Sequence, residues 1–200
     1  KNKALNIKLE SKPGAFVSSI PKFAKSCSSN LIVMGTKGAS GIKEMFIGSN
    51  TLEVIQSTHC PVLAIPENAN LKTLRKISFA TDFREIKNPD SLKPLFQIAQ
   101  KLDLPLEFVN VVRSQDENVA EYKAKQAEIL EELAGDVRCS IFFISNDDII
   151  DGVSEYINQV KPDLFALLSR KHTLFERIFT KSITNQLSFR TEIPLLVLDE

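Results

Sequence analysis

Sliding the 200-residue sequence along itself by 133 residues, the separation of Leu31 from Leu164, lays residues 31–65 over 164–198 without a gap. Leu31/Leu164, Phe46/Phe179, Ser49/Ser182, Thr51/Thr184, Thr58/Thr191, Pro61/Pro194 and Leu63/Leu196 are identical pairs, and most remaining strand positions are apolar in both stretches. Self-similarity on this scale marks a repeated domain, so the two parts must share a fold. The copies are unequal. In the second, the 93 residues Arg75–Leu167 precede the position equivalent to Gly35; in the first only 34 do. The first copy therefore lacks an opening strand–helix–strand–helix. Pro66-Glu67-Asn68-Ala69-Asn70 is polar and turn-rich. It opens a linker, assigned to 67–74, between an incomplete domain at 1–66 and a complete one at 75–200.

The complete copy alternates strand and helix. Strands are predicted at Lys76–Ala80, Leu106–Val112, Ser140–Ile144, Leu164–Leu168 and Leu195–Leu198. Between them, Leu92, Leu95, Phe96, Ala99 and Leu102 recur at helical spacing, with Pro94 in the first turn. Val119, Tyr122, Ile129, Leu130 and Leu133 mark a second helix that stops at Gly135, and Ile149, Ile150, Val153, Ile157 and Val160 a third. A fourth fits Ser182–Phe189. Five strands alternating with four helices imply an α/β fold, a parallel sheet doubly wound by right-handed crossovers. The first copy repeats the end of this pattern: Leu5–Leu9 reads as a strand, Phe16, Val17, Ile20, Phe23, Ala24 and Cys27 as a helical stripe, and Leu31–Met34 and Val62–Ile65 as strands.

Composition removes several classes of function. Lys plus Arg and Asp plus Glu number 25 each, so no broad basic field exists to steer a nucleic acid. No apolar run approaches the ~20 residues of a bilayer span. Lys1–Asn6 contains neither a secretory apolar core nor an initiator Met, which points to the cytoplasm and to an upstream piece that is cleaved or left out. Cys27, Cys60 and Cys139 are odd in number, lack metal-ligand spacing and lie in or beside apolar segments, the pattern of buried reduced thiols. His59, His172 and the adjacent carboxylate pairs Glu131-Glu132 and Asp147-Asp148 form no catalytic constellation, and the carboxylates are expected to be solvated.

Chemistry concentrates in LIVMGTKGASGIKEMFIGSNTLEVIQSTHCPVLAI, residues 31–65. A strand ends at Met34, Gly35 and Gly38 follow, and Gly48-Ser49 opens a helix. Glycines after a strand let the backbone approach a ligand or adopt positive φ. A Gly-Ser pair at a helix start offers free N–H groups, a hydroxyl and the positive end of the dipole, the ingredients of a phosphate site. The run is neither GxxxxGK[ST] nor GxGxxG, which disfavours a P-loop NTPase and a dinucleotide Rossmann domain.

The arrangement Gly35-x2-Gly38-x9-Gly48-Ser49 between LIVMG and HCPVLAIP closely resembles the universal stress protein family. The resemblance implies a five-stranded parallel sheet of order 3-2-1-4-5 and, in one subgroup, ATP binding through this spacing. It makes the chain a tandem member with a truncated first copy. Met34, Gly35, Lys37 and Gly38 would lie along ribose and phosphates, and Gly48, Ser49, Asn50 and Thr51 would cap the triphosphate. Magnesium is expected only with the nucleotide. The family's base-side residues are absent from the first copy, so ATP is expected there only if the missing half is present. In the second copy Asp82 and Val111 or Val112 match the base contacts and Ser182 persists. Its glycines are replaced, however, by Leu168, Lys171 and Lys181. Side chains there obstruct phosphate, so that copy is expected to be vestigial, and the run Arg170–Arg177 to be a partner-packing or solvated loop.

The family also implies that Val62–Ile65 and Leu195–Leu198, apolar edge candidates, meet antiparallel and make an internal pseudo-dimer. In that sheet order Leu5–Leu9 would stand about 14 Å from Leu31–Met34, from a ~4.8 Å strand spacing. The leading expectation is a nucleotide-responsive regulatory protein. A slow ATPase or phosphoryl-transfer enzyme is the less favoured alternative, since no general base or metal-binding carboxylate is evident beside the loop. A nucleotide-free interaction scaffold is the other.

Overall fold

Strands covered on both faces read as continuous apolar runs rather than alternating ones, and Ile77–Ala80, Leu164–Leu168 and Leu195–Leu198 are of this kind. A computed structural model describes residues 5–36, 48–81, 89–113, 119–169 and 193–199. In it these runs form the middle of a sheet. The elements in chain order are α1 (Phe16–Ser26), β1 (Ile32–Gly35), α2 (Ser49–Ser57), β2 (Val62–Ile65), β3 (Ile77–Ala80), α3 (Lys93–Leu102), β4 (Leu106–Val112), α4 (Val119–Ala134), β5 (Cys139–Ser145), α5 (Ile149–Val160), β6 (Leu164–Ser169) and β7 (Leu195–Asp199). Single 3₁₀ turns at Leu71–Thr73 and Pro89–Leu92 join them.

The fold is α/β, as expected, but the sheet is one of seven strands rather than a set of five, in the order β1-β2-β7-β6-β3-β4-β5. Within residues 75–200 the order β5-β4-β3-β6-β7 is the expected third-second-first-fourth-fifth, all parallel. The sheet continues because β2 pairs antiparallel with β7: Val62 faces Val197, Leu63 faces Leu196 and Ala64 faces Leu195. The two candidate edge strands are thus interior. The repeat carries Val62 onto Leu195 and Ala64 onto Val197. Exchanging the two stretches therefore leaves this register unchanged, with Leu63–Leu196 at its centre.

Alternation sorts the strand side chains into two layers. On one face Ala24 of α1, Val54 and Ile55 of α2 and Val153, Tyr156 and Ile157 of α5 pack with Val62, Ala64, Leu195 and Val197. On the other, Leu95 and Ala99 of α3 pack with Ile77, Phe79, Leu106, Leu196 and Leu198. Pro94 stands in the first turn of α3, where its missing N–H costs nothing. No helix among the described residues is long and apolar enough to cross a membrane.

Three expectations change. Leu5–Leu9 forms no strand; Leu5, Ile7 and Leu9 are 88%, 76% and 91% exposed. Apolar alternation makes a strand only where a neighbour supplies backbone partners, and this segment joins no ladder, so the 14 Å gap has no counterpart. Cys27 is exposed rather than buried, lying just beyond the end of α1, while Cys60 and Cys139 are half-buried. Asp148 is not simply solvated: its carboxylate accepts from the Ile150 and Asp151 N–H groups at 2.7 and 3.3 Å and caps α5. The helix expected at Ser182–Phe189 lies outside the described residues.

Candidate functional site

The glycine-bearing segment folds as a strand end facing a helix start. Ile32 and Thr36 donate backbone N–H bonds to Pro61 and Ile65 of the β2 side, at 2.8 and 3.2 Å. Because strand peptides alternate direction, Gly35 between them turns its own groups away from β2. The Gly48 N–H then donates to the Thr36 carbonyl at 3.0 Å, joining the helix start to the strand end. Gly48 is the N-cap of α2, with φ −58° and ψ 151°, and α2 has no acidic residue in its first turn. Ser49 and Asn50 are exposed there. The leading N–H groups of a helix have no intrahelical partner and carry the positive end of its dipole, so this turn suits an anion.

Gly35 is exposed at the end of β1. Its φ lies outside the left-handed range, and a Cβ built on it would meet only the Ile65 carbonyl oxygen, at 4.0 Å, among the described residues. Neither backbone strain nor packing of those residues calls for glycine here. The expected use of positive φ does not apply to Gly35 or Gly48; what Gly35 provides is bare backbone at the exit of a strand. Thr51 is directed inward instead. It is 2% exposed, and its Oγ1–H donates to the Gly35 carbonyl at 3.1 Å. Met34 is half-buried against the core beneath α1 and α2.

The structure therefore brings together Met34, Gly35, Gly48, Ser49, Asn50 and Thr51. Lys37 and Gly38 lie outside the described residues, as do Asp82 and Ser182. Val112, the last residue of β4, accepts the Asn146 N–H at 3.0 Å. Since β2 and β7 run antiparallel, the carboxyl ends of β3, β4 and β6 open on the opposite edge of the sheet from those of β1 and β2. The geometry does not unite the Val112 region with the β1–α2 junction.

Sequence reading passed over two polar groups in the core. Asn110, 4% exposed, donates its Nδ2–H to the Thr81 carbonyl at 2.9 Å and so fixes the backbone just before Asp82. The signal was an amide inside the apolar run LEFVNVV. Tyr156 shares a 2.7 Å hydrogen bond with Ser78 Oγ and donates to Glu107 Oε2. Lys76 Nζ donates to both Glu107 oxygens at 2.9 and 3.0 Å. Burial first, then the Glu107 carboxylate, hold the phenol of Tyr156 well above its ordinary pKa, so it remains a donor. His59 pairs with Asp199 at 2.6 Å across the β2–β7 junction.

A curated universal stress protein of Methanocaldococcus jannaschii is 38% identical over 61 residues, which cover 30% of this chain and 36% of that protein. The crystal structure of a universal stress protein from Archaeoglobus fulgidus aligns with a TM-score of 0.63 at 16% identity, covering 92% of this chain and 65% of that one. A protein of unknown function from Pseudomonas aeruginosa aligns at 0.64 and 15%, covering 94% and 69%. At those identities the two structures speak for the fold alone, and the chain spans about a third of its curated relative. Residues 2–66 match the universal stress protein family. That stretch contains β1, Gly35, Gly48 and α2, so the match to the universal stress protein family and the geometry describe the same piece of chain.

Proposed function

We propose that this chain is a regulatory protein that holds the phosphates of an adenine nucleotide, ATP in the first instance, where β1 meets α2. One observation carries the reading: Gly35 is bare backbone at an exposed strand end although the described residues leave room for a Cβ. A glycine that its own surroundings do not require is accounted for by something that must come closer than a methyl group permits. The adjacent first turn of α2 presents N–H groups without intrahelical partners and no carboxylate of its own. Lys37 and Gly38 complete the phosphate side in this reading, and Ser49 and Asn50 meet the ligand through the helix start.

The proposal includes an internal pseudo-dimer, an incomplete domain at 1–66 joined to a second at 75–200. It is supported by the β2–β7 register, which exchange of the repeated stretches leaves unchanged. Two independent copies of a fold that meet through the same strand would have this property.

Titration calorimetry of the chain with ATP, beside Gly35→Ala, tests the nucleotide reading. Wild type is expected to bind, and Gly35→Ala to keep its melting temperature while losing at least ~10-fold in affinity, as expected when a methyl group displaces a close contact. A silent wild type, or a variant that binds equally well, refutes it.

A further inference from the structure

We propose that Thr51 is a positioning residue for this site, acting through Gly35 and Gly48 rather than by touching a ligand. The inference rests on the reading of the β1–α2 junction as an anion site. With the Thr51 side chain 2% exposed and its hydroxyl given to the Gly35 carbonyl at 3.1 Å, the group has no donor left for a phosphate and no path to one.

What that bond does follows from where the Gly35 peptide points. The groups of Gly35 turn away from β2, as the flanking bonds of Ile32 and Thr36 require. Among the described residues Thr51 is the side chain that reaches its carbonyl, an acceptor dipole that would otherwise face the place where a polyanion sits in this reading. Thr51 engages that oxygen. The same bond ties the third residue of α2 to the last residue of β1, and the Gly48-to-Thr36 bond at 3.0 Å ties the helix cap to the next residue of the strand. Two bonds between the strand end and the helix start fix the distance and angle between the bare backbone of Gly35 and the N–H groups of α2. An anion site depends on that pre-set geometry, because donors that must reorganise lose affinity.

The repeat supplies a separate line of support. Where the second copy replaces Gly35, Gly38 and Gly48 by Leu168, Lys171 and Lys181, it keeps Thr184 at the position of Thr51 and Ser182 at that of Ser49. Retention of threonine where the approach glycines are gone accords with a role for Thr51 that does not depend on the ligand.

The test uses the full chain with Thr51→Val, which removes the hydroxyl at constant shape, and Thr51→Ser, which restores it. Amide hydrogen exchange without ligand is expected to quicken at Gly48 and Thr36 in Thr51→Val and to return toward wild type in Thr51→Ser. ATP affinity, read by calorimetry below the melting transition, is expected to fall at least ~10-fold in Thr51→Val and to stay within about threefold in Thr51→Ser, one charge-assisted contact geometry being at stake. Unchanged exchange at Gly48 in Thr51→Val overturns the proposal, as does undiminished ATP affinity in that variant. If wild type binds no ATP, the nucleotide reading fails by itself, and the exchange measurement alone decides whether Thr51 clamps the junction. Should Thr51→Val fail to fold, Thr51→Ser decides: wild-type exchange at Gly48 upholds the clamp, and loss of protection despite the retained hydroxyl overturns it.

Discussion

Replacing Gly152 by Ala sets two opposing effects against each other in the same residue. Gly152 lies in the first half of α5, buried against β4. In an exposed helix the change would stabilise by about 0.5–1 kcal/mol through lost unfolded-state freedom. Here the added Cβ would stand 2.7 and 2.9 Å from the two methyl groups of Val111 and 3.2 Å from the Cβ of Asn146. Val is stiff at χ1, and Val111 is held by the β4–β5 ladder through its pairing with Ile144, so the methyls cannot simply rotate away. Overpacking of this kind costs ~1–3 kcal/mol, and the net expectation is a loss of about 1–2 kcal/mol in urea unfolding. The companion variant Val111→Ala removes both clashing methyls. A double-mutant cycle should then show Gly152→Ala/Val111→Ala more stable than the sum of the singles by about 1 kcal/mol or more, since contacting residues couple on that scale. Additivity within ~0.5 kcal/mol, or a stabilised Gly152→Ala single variant, would show that α5 does not press on Val111 as described.

Thiol reactivity should follow burial. Burial pushes the Cys139 thiol up to about 11, so at pH 8 only about 0.1% is thiolate, the reactive form. Exposed Cys27 should alkylate first in the folded chain, and Cys139 last, its rate climbing as pH rises toward its pKa; peptide mass spectrometry after iodoacetamide treatment reads the order, and equal rates for Cys27 and Cys139 contradict it. Tyr156→Phe keeps the ring contacts with Phe142 and Phe165 but strips a donor from Glu107 and a partner from Ser78. It should cost about 1–3 kcal/mol in urea unfolding, and a change under ~0.5 kcal/mol would mean that the network contributes little.

Much of the fold was legible because its strongest signals are local and periodic. LEFVNVV becomes β4 over the same seven residues, and the stripe Ile149–Val160 becomes α5. The family resemblance also predicted which strands would meet, and Val62–Ala64 pair antiparallel with Leu195–Val197. What failed was non-local. Leu5, Ile7 and Leu9 alternate as well as any strand in the chain, but alternation reports which side chains could be buried together and says nothing of whether a ladder partner stands beside them. Cys27 misled for a related reason: it continues the apolar spacing of α1, whereas the helix ends at Ser26 and leaves the thiol outside. Asp148 was readable in principle, an aspartate just before an apolar helical stripe being an N-cap signature.

The site divides along the same line. A glycine in a sequence states only that a side chain is missing; it does not state what the missing side chain makes room for. At Gly152 the space is taken by Val111, a neighbour within the fold, and the glycine is structural. Gly35 has no such neighbour among the described residues: the nearest atom to its Cβ position is the Ile65 carbonyl oxygen at 4.0 Å. Both positions are plain Gly in the chain, and only the fold separates a gap filled from within from one that the described residues leave open. Threonine 51 inverts the lesson. The family resemblance offers its hydroxyl as a ligand group, whereas in the structure the third residue of α2 donates that hydroxyl to the Gly35 carbonyl at 3.1 Å. Spacing located the junction of β1 and α2, and the direction of each side chain at that junction separates the residues that can meet a ligand from those that hold the frame.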